Sequence, residues 1–133
     1  MKVIKTAEVK SGPVNELFIG KLDRVGLTSE NLIGVTRSEG EIVLGLNTFT
    51  PGATTKMHTH NKEQFLYITA GKGYVGTEKE KVVVTAGTLV YFAANEPHFH
   101  GATETTSMAH LAIGVGIVNS KVLSEDNPIT TIK

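Results

Sequence analysis

Residues 52–71 read GATTKMHTHNKEQFLYITAG, and this stretch decides the fold because two histidines one residue apart stand between glycines. Side chains two positions apart in a strand lie on the same face of a sheet, so His58 and His60 bring two imidazoles together. The five histidines of the chain are His58, His60, His98, His100 and His110. Imidazole is the commonest metal ligand in proteins and suits Zn, Cu, Fe and Ni. The pattern therefore predicts a transition-metal site built from strands.

Composition narrows the class of protein. Thirteen basic and thirteen acidic residues balance without a block of like charge, so neither nucleic acid nor an anionic membrane is an expected partner. The chain has no cysteine, which restricts metal ligands to nitrogen and oxygen donors. Its first residues, MKVIK, precede no apolar segment of signal-peptide length, and its longest apolar stretch is too short to cross a membrane. We expect a cytoplasmic protein.

Short runs rich in Val, Ile, Thr, Tyr and Phe, separated by glycine and proline, predict an all-β fold. The expected strands are residues 16–22, 41–50, 54–60, 64–70, 73–78, 81–85, 88–93, 98–101 and 107–118. Residues 42–46 are apolar on both faces, which favours coverage on both sides and hence a homodimer. We expect one domain over residues 1–118 and a loose polar tail over residues 119–133.

The spacing of the glycines and candidate ligands resembles the cupin family. Gly52, His58, His60, Gln64 and Gly71 match the first cupin motif, and Gly87 with His98 matches the second. The resemblance implies a jelly-roll barrel, also called a double-stranded β-helix, with a metal held by His58, His60, the residue at position 64 and His98. The family usually has glutamate at position 64, proline and glycine at positions 93 and 95, and asparagine at position 102. This chain has Gln64, Ala93, Asn95 and Ala102 at those positions.

A narrower resemblance covers most of residues 10–115. Residues 98–113 read HFHGATETTSMAHLAI, and together with Gln64 they are similar to the manganese-containing cupin hydroxynitrile lyases and the carboxymuconolactone decarboxylase-associated cupins. This resemblance implies that His100, His110 and Thr55 lie beside the substrate.

Several alternatives stay open at these positions. Glu63 neighbours Gln64 and is an alternative ligand, although strict alternation puts it on the opposite face. His100 shares a face with His98, and its alternative role is only to orient a ligand. His110 is either catalytic or a satisfied core histidine. Thr55 reaches the same cavity as His58 only if the strand bends near position 57.

These residues predict a divalent-metal-dependent lyase or isomerase that acts on a small molecule, with His100 or His110 as general base. The cofactor is one divalent transition metal, which the resemblance suggests is manganese, while iron, zinc and nickel also suit the donors. One alternative is a metal-dependent dioxygenase. Another is a non-catalytic cupin that binds or senses a small molecule.

Overall fold

The structure, a computed structural model, describes residues 1–34 and 39–133. Its strands are β1 Phe18–Ile19, β2 Leu22–Gly26, β3 Ile42–Phe49, β4 Thr54–Thr55, β5 His58–His60, β6 Gln64–Gly76, β7 Lys81–Thr85, β8 Leu89–Phe92, β9 Phe99–Ala102, β10 Met108–Val115 and β11 Ser120–Val122. The helical elements are a 3₁₀ turn at Thr6–Glu8, α1 at Glu30–Ile33 and α2 at Pro128–Thr131. The all-β prediction is confirmed. None of the helices in these two ranges has the length and apolar character needed to cross a membrane.

Strand β6 is the central strand of the sheet and pairs with four other strands. The strand order is β1-β4-β9-β6-β10-β3-β2, and β7 and β8 also pair with β6. Residues 64–70 and 73–78 were expected as separate strands, and this is wrong because one strand runs through Gly71 and Gly73. A Cβ at Gly71 would collide with the Ser107 carbonyl, and one at Gly73 with the Gly101 carbonyl. These glycines therefore allow strands to approach closely and do not mark a turn.

The bend near position 57 that Thr55 needs in order to share a cavity with His58 is present. The predicted strand 54–60 divides into β4, which ends at Thr55, and β5, which begins at His58. The intervening Lys56 reaches the C-terminal segment, where its Nζ lies 2.6 Å from the Glu125 carboxylate. This interruption lets Thr55 and His58 line the same cavity, which an unbroken strand would not allow.

The core is built mainly from strands β3, β6 and β10. Phe49, Leu66, Ile68 and Met108 are at most 1% exposed and belong to one apolar cluster. Burial of each such side chain contributes about 1.5–3 kcal/mol, and the Phe49 ring packs against the rings of His100 and His110.

The C-terminal segment is packed, so the expectation of a loose tail is wrong. Strand β11 pairs antiparallel with β5, and the register places Ser120 opposite His60. Asn127 caps α2 by accepting a hydrogen bond from the backbone N–H of Ile129 at 3.0 Å. Ile129 itself is only 2% exposed. The polar residues of this segment form a turn and a helix cap, and the apolar residue after them is buried.

Candidate metal centre

Two strands meet at the centre of the site and join the two histidine motifs. His58 and His98 form an isolated antiparallel bridge, with N–H to carbonyl distances of 3.0 and 2.9 Å. One ring nitrogen from each of His58, His60 and His98 falls in a group whose members are all within 4.8 Å of one another. All three residues are buried. This group can hold a metal ion.

The turn before His98 tolerates its unusual sequence. Asn95 has a φ of 64°, in the left-handed region that asparagine adopts more readily than most residues. Its backbone N–H donates to the His60 carbonyl at 2.7 Å. Asn95 therefore adopts the left-handed conformation expected of a glycine at this position of the motif that the sequence resembles.

Backbone carbonyls fix the orientation of two rings. Nδ1 of His58 lies 2.8 Å from the Lys56 carbonyl oxygen, and Nδ1 of His98 lies 2.8 Å from the Glu96 carbonyl oxygen. A carbonyl only accepts, so each Nδ1 carries the hydrogen and each neutral ring keeps its lone pair on Nε2. Nε2 of His58 lies 3.1 Å from Nε2 of His60. The lone pairs therefore face the centre of the group, as metal ligands require.

Ser120 orients the third ring. Its hydroxyl oxygen lies 2.7 Å from Nδ1 of His60, which leaves Nε2 of that ring directed toward His58. Sequence reasoning missed Ser120 because it falls in the segment expected to be loose. The sequence after β10 has no pattern that predicts the pairing of β11 with β5.

At the site, two buried acceptor atoms have no hydrogen-bond partner within residues 1–34 and 39–133. They are Nε2 of His98 and the side-chain oxygen of Gln64, Oε1. A buried polar atom without a partner costs about 1–3 kcal/mol, and a bound cation would satisfy an atom of this kind. The competing residue Glu63 is exposed, and its carboxylate accepts a hydrogen bond from the Tyr91 hydroxyl at 2.9 Å. The three imidazoles fit a metal ion, and Gln64 lines the same cavity as His58 and His60 with an unpartnered oxygen.

The remaining predicted residues form a second layer of contacts. Nε2 of His110 lies 2.9 Å from Nδ1 of His100, and both side chains are buried. His100 and Thr55 line the cavity, whereas His110 lies behind His100 against Phe49, with ring centroids 5.5 Å apart. The Thr55 hydroxyl oxygen accepts the backbone N–H of His100 at 3.1 Å.

Burial keeps these imidazoles neutral. Desolvation lowers the pKa of His58 to about 3, with nearby His98 as a further cause, and desolvation lowers the pKa of His98 to about 4. The pKa of His110 is lowered to about 4 and that of His100 lies well below its usual value, again chiefly because of burial. Neutral imidazoles are the form that binds metals and accepts protons.

His58, His60 and His100 open onto a cavity of about 500 Å³. Its lining includes His58, His60, Gln64, His100 and Thr55, and also Arg24 and Asn47 from strands β2 and β3. Sequence reasoning missed Arg24, because only the register between these two strands places it at the cavity. The size suits a small molecule.

Comparisons with known proteins agree with this geometry. The family model described as a cupin domain matches residues 45–114, just over half of the chain. An (R)-mandelonitrile lyase of Granulicella tundricola is 48% identical over 67 residues, which are 50% of this chain and 51% of that protein. The chain thus spans about half the length of this curated relative.

Solved structures show the same fold. A cupin-like protein of Thermotoga maritima superposes with a TM-score of 0.74 at 24% identity, covering 93% of this chain and 90% of that one. The polyketide cyclase RemF of Streptomyces resistomycificus gives 0.76 at 21% identity, covering 97% and 90%. At identities this low the structural similarity is evidence for the fold alone, and it confirms the predicted jelly-roll barrel.

Proposed function

This chain belongs to the cupin family, and we propose that it is a divalent-metal-dependent lyase or isomerase acting on a small molecule, similar to a hydroxynitrile lyase. The observation that carries the proposal is a pair of contacting imidazoles, His100 and His110, in addition to the three that can bind a metal. A site that only stored an ion would not need them.

The proposed ligands are His58, His60, Gln64 and His98. All four are neutral donors, so a divalent ion among them would keep its full charge and attract an anionic or strongly polar group. A divalent metal there would supply Lewis acidity, polarising a substrate oxygen. We propose manganese, from the resemblance to manganese-containing hydroxynitrile lyases, and the donors also suit iron, zinc and nickel.

The chain's own residues would move the proton. When Nδ1 of His100 donates to Nε2 of His110, Nε2 of His100 carries a lone pair and accepts a proton from a substrate hydroxyl. When Nε2 of His110 is instead the donor, Nε2 of His100 carries a hydrogen and can return that proton to the substrate. We therefore assign His100 as the general base and His110 as the residue that positions it.

Thr55 would hold the substrate oxygen. Its hydroxyl oxygen already accepts the N–H of His100, so its own hydrogen is available to a ligand in the cavity. The hydroxyl thus orients a substrate whose proton His100 removes.

The test begins with protein purified without added metal. Elemental analysis identifies the ion, and the release of cyanide and aldehyde from mandelonitrile measures lyase activity. We expect His100→Ala and His110→Ala to retain the metal and to lose at least about 100-fold in turnover, the lower range for general acid–base catalysis. Undiminished turnover in both variants would remove these residues from the mechanism.

Other outcomes would point to other functions. Oxygen consumption that requires iron would indicate a dioxygenase. Binding of small molecules that raises the melting temperature, with no turnover of any substrate, would indicate a non-catalytic binding protein.

A further inference from the structure

The cavity has a cationic group apart from the histidines. Arg24 on β2 pairs in register with Asn47 on β3, and Asn47 pairs with His110 on β10. Neighbouring strands lie about 4.8 Å apart, so the Cα atoms of Arg24 and His110 are separated by about 10 Å across the sheet. Arg24, Asn47 and His100 all line the same cavity. A small molecule can therefore contact both the guanidinium and the histidine group.

The Arg24 side chain is held in place but is not neutralised. One of its terminal nitrogens donates to the Pro13 carbonyl at 3.2 Å, and its guanidinium carbon lies 4.8 Å from the centre of the Phe18 ring. Among the residues that the structure describes, its buried Nε has no hydrogen-bond partner. Across residues 1–34 and 39–133, no carboxylate lies within ion-pair distance of Arg24. Partial burial of an unpaired guanidinium costs free energy, and an anionic ligand that pairs with it would offset that cost.

The other charged groups at the cavity already have partners. Nζ of Lys62 lies 3.0 Å from the Glu39 carboxylate, and the Glu63 carboxylate accepts a hydrogen bond from Tyr91. The proposed metal ligands are neutral and contribute no negative charge. Both Arg24 and a bound divalent ion would therefore favour an anionic ligand.

We propose that the cavity takes a small carboxylic acid, whose carboxylate pairs with Arg24 while a carbonyl or hydroxyl oxygen at its other end faces the three histidines. A planar guanidinium matches the two oxygens of a carboxylate through parallel hydrogen bonds, and these charge-assisted bonds are among the strongest in proteins. This inference rests on the proposed function only in treating the ligand as a substrate.

The test compares ligands that differ only in charge. Glyoxylate, 4-oxobutanoate and 4-formylbenzoate are each titrated into the metal-loaded protein by calorimetry, beside their primary amides. We expect at least one carboxylate to bind about 10- to 100-fold more tightly than its amide. Arg24→Gln should abolish this preference, and Arg24→Lys, which keeps the charge but loses the planar fork, should retain part of it. Lys62→Gln is the control, because it removes a cavity cation that is already paired.

Two results would overturn the inference. One is equal binding of acids and amides by the wild-type protein. The other is a carboxylate preference that persists in Arg24→Gln, since the anion would then bind the metal instead. If Arg24→Gln does not fold, the comparison of wild type with Arg24→Lys decides. Calorimetry needs no turnover, so a protein that prefers carboxylates but cleaves no substrate would contradict the lyase proposal and support this one.

Discussion

Replacement of Ser120 by alanine tests whether the C-terminal segment contributes to the metal centre. The change removes the hydroxyl that lies 2.7 Å from Nδ1 of His60 and leaves that nitrogen without its partner. A hydrogen bond of this kind contributes about 0.5–1.5 kcal/mol, and 1.4 kcal/mol corresponds to tenfold in affinity. Groups that orient metal-binding histidines typically contribute 10–100-fold. We expect Ser120→Ala to weaken metal binding about tenfold.

The affinity is measured at pH 7.5 by competition with a chromophoric chelator, starting from metal-free protein. Ser124→Ala is the matched control, because the Ser124 hydroxyl only accepts a backbone N–H within its own turn, at 3.1 Å from Asp126. The melting temperature of the metal-free variants reports any general loss of stability. A Ser120→Ala protein whose metal affinity stays within twofold of the wild type would refute this account of His60.

Three further predictions concern charge, pH and assembly. Gln64→Glu should bind a divalent metal roughly tenfold more tightly in the chelator assay, because a carboxylate offsets the ion's charge. Without metal the variant should melt at a lower temperature than wild type, because the new carboxylate is then buried and unpaired. An unchanged affinity would argue against Gln64 as a ligand. In the folded, metal-free protein the pKa of His110 is about 4, whereas in the unfolded chain it is about 6.5. The unfolded chain therefore binds a proton more readily, and the free energy of unfolding should decrease by on the order of 3 kcal/mol as the pH falls from 6.5 to 4. Urea titrations of wild type and His110→Gln should show a shallower decrease in the variant, and equal slopes would contradict this. We also propose a homodimer through the outer sheet face, where Tyr67 is 44% exposed and lies in register between Leu89 and Leu111; the chain has no net charge to repel a second copy. Sedimentation should show a dimer for wild type and a monomer for Tyr67→Lys, and a wild-type monomer at micromolar concentration would exclude the proposal.

The ligand spacing could be predicted from the sequence because it depends on local geometry. Strand alternation places His58 and His60 on one face, and the conflict between Thr55 and His58 required a bend, which the structure has between β4 and β5. The strand boundary at Gly71 was predicted wrongly, since glycine is equally suited to a turn and to a close approach between strands.

The parts that could not be predicted depend on distant pairing. Ser120 reaches His60 only because β11 returns beside β5, and Arg24 reaches the cavity only through the register of β2 on β3. Neither residue stands in a motif, and both are polar in segments whose composition indicates surface. Local pattern thus found the imidazoles but not the residues from remote strands that complete their surroundings.

The pairing of β11 with β5 also bears on how the protein matures during translation. Ser120 is synthesised 60 residues after the histidine it contacts, so all five histidines are added to the chain before this hydroxyl exists. A chain that stops before Ser120 would carry all five histidines but lack the hydroxyl that orients the His60 ring. We therefore expect full metal affinity only once β11 has paired with β5, and truncation before Ser120 should yield a protein that binds its ion more weakly.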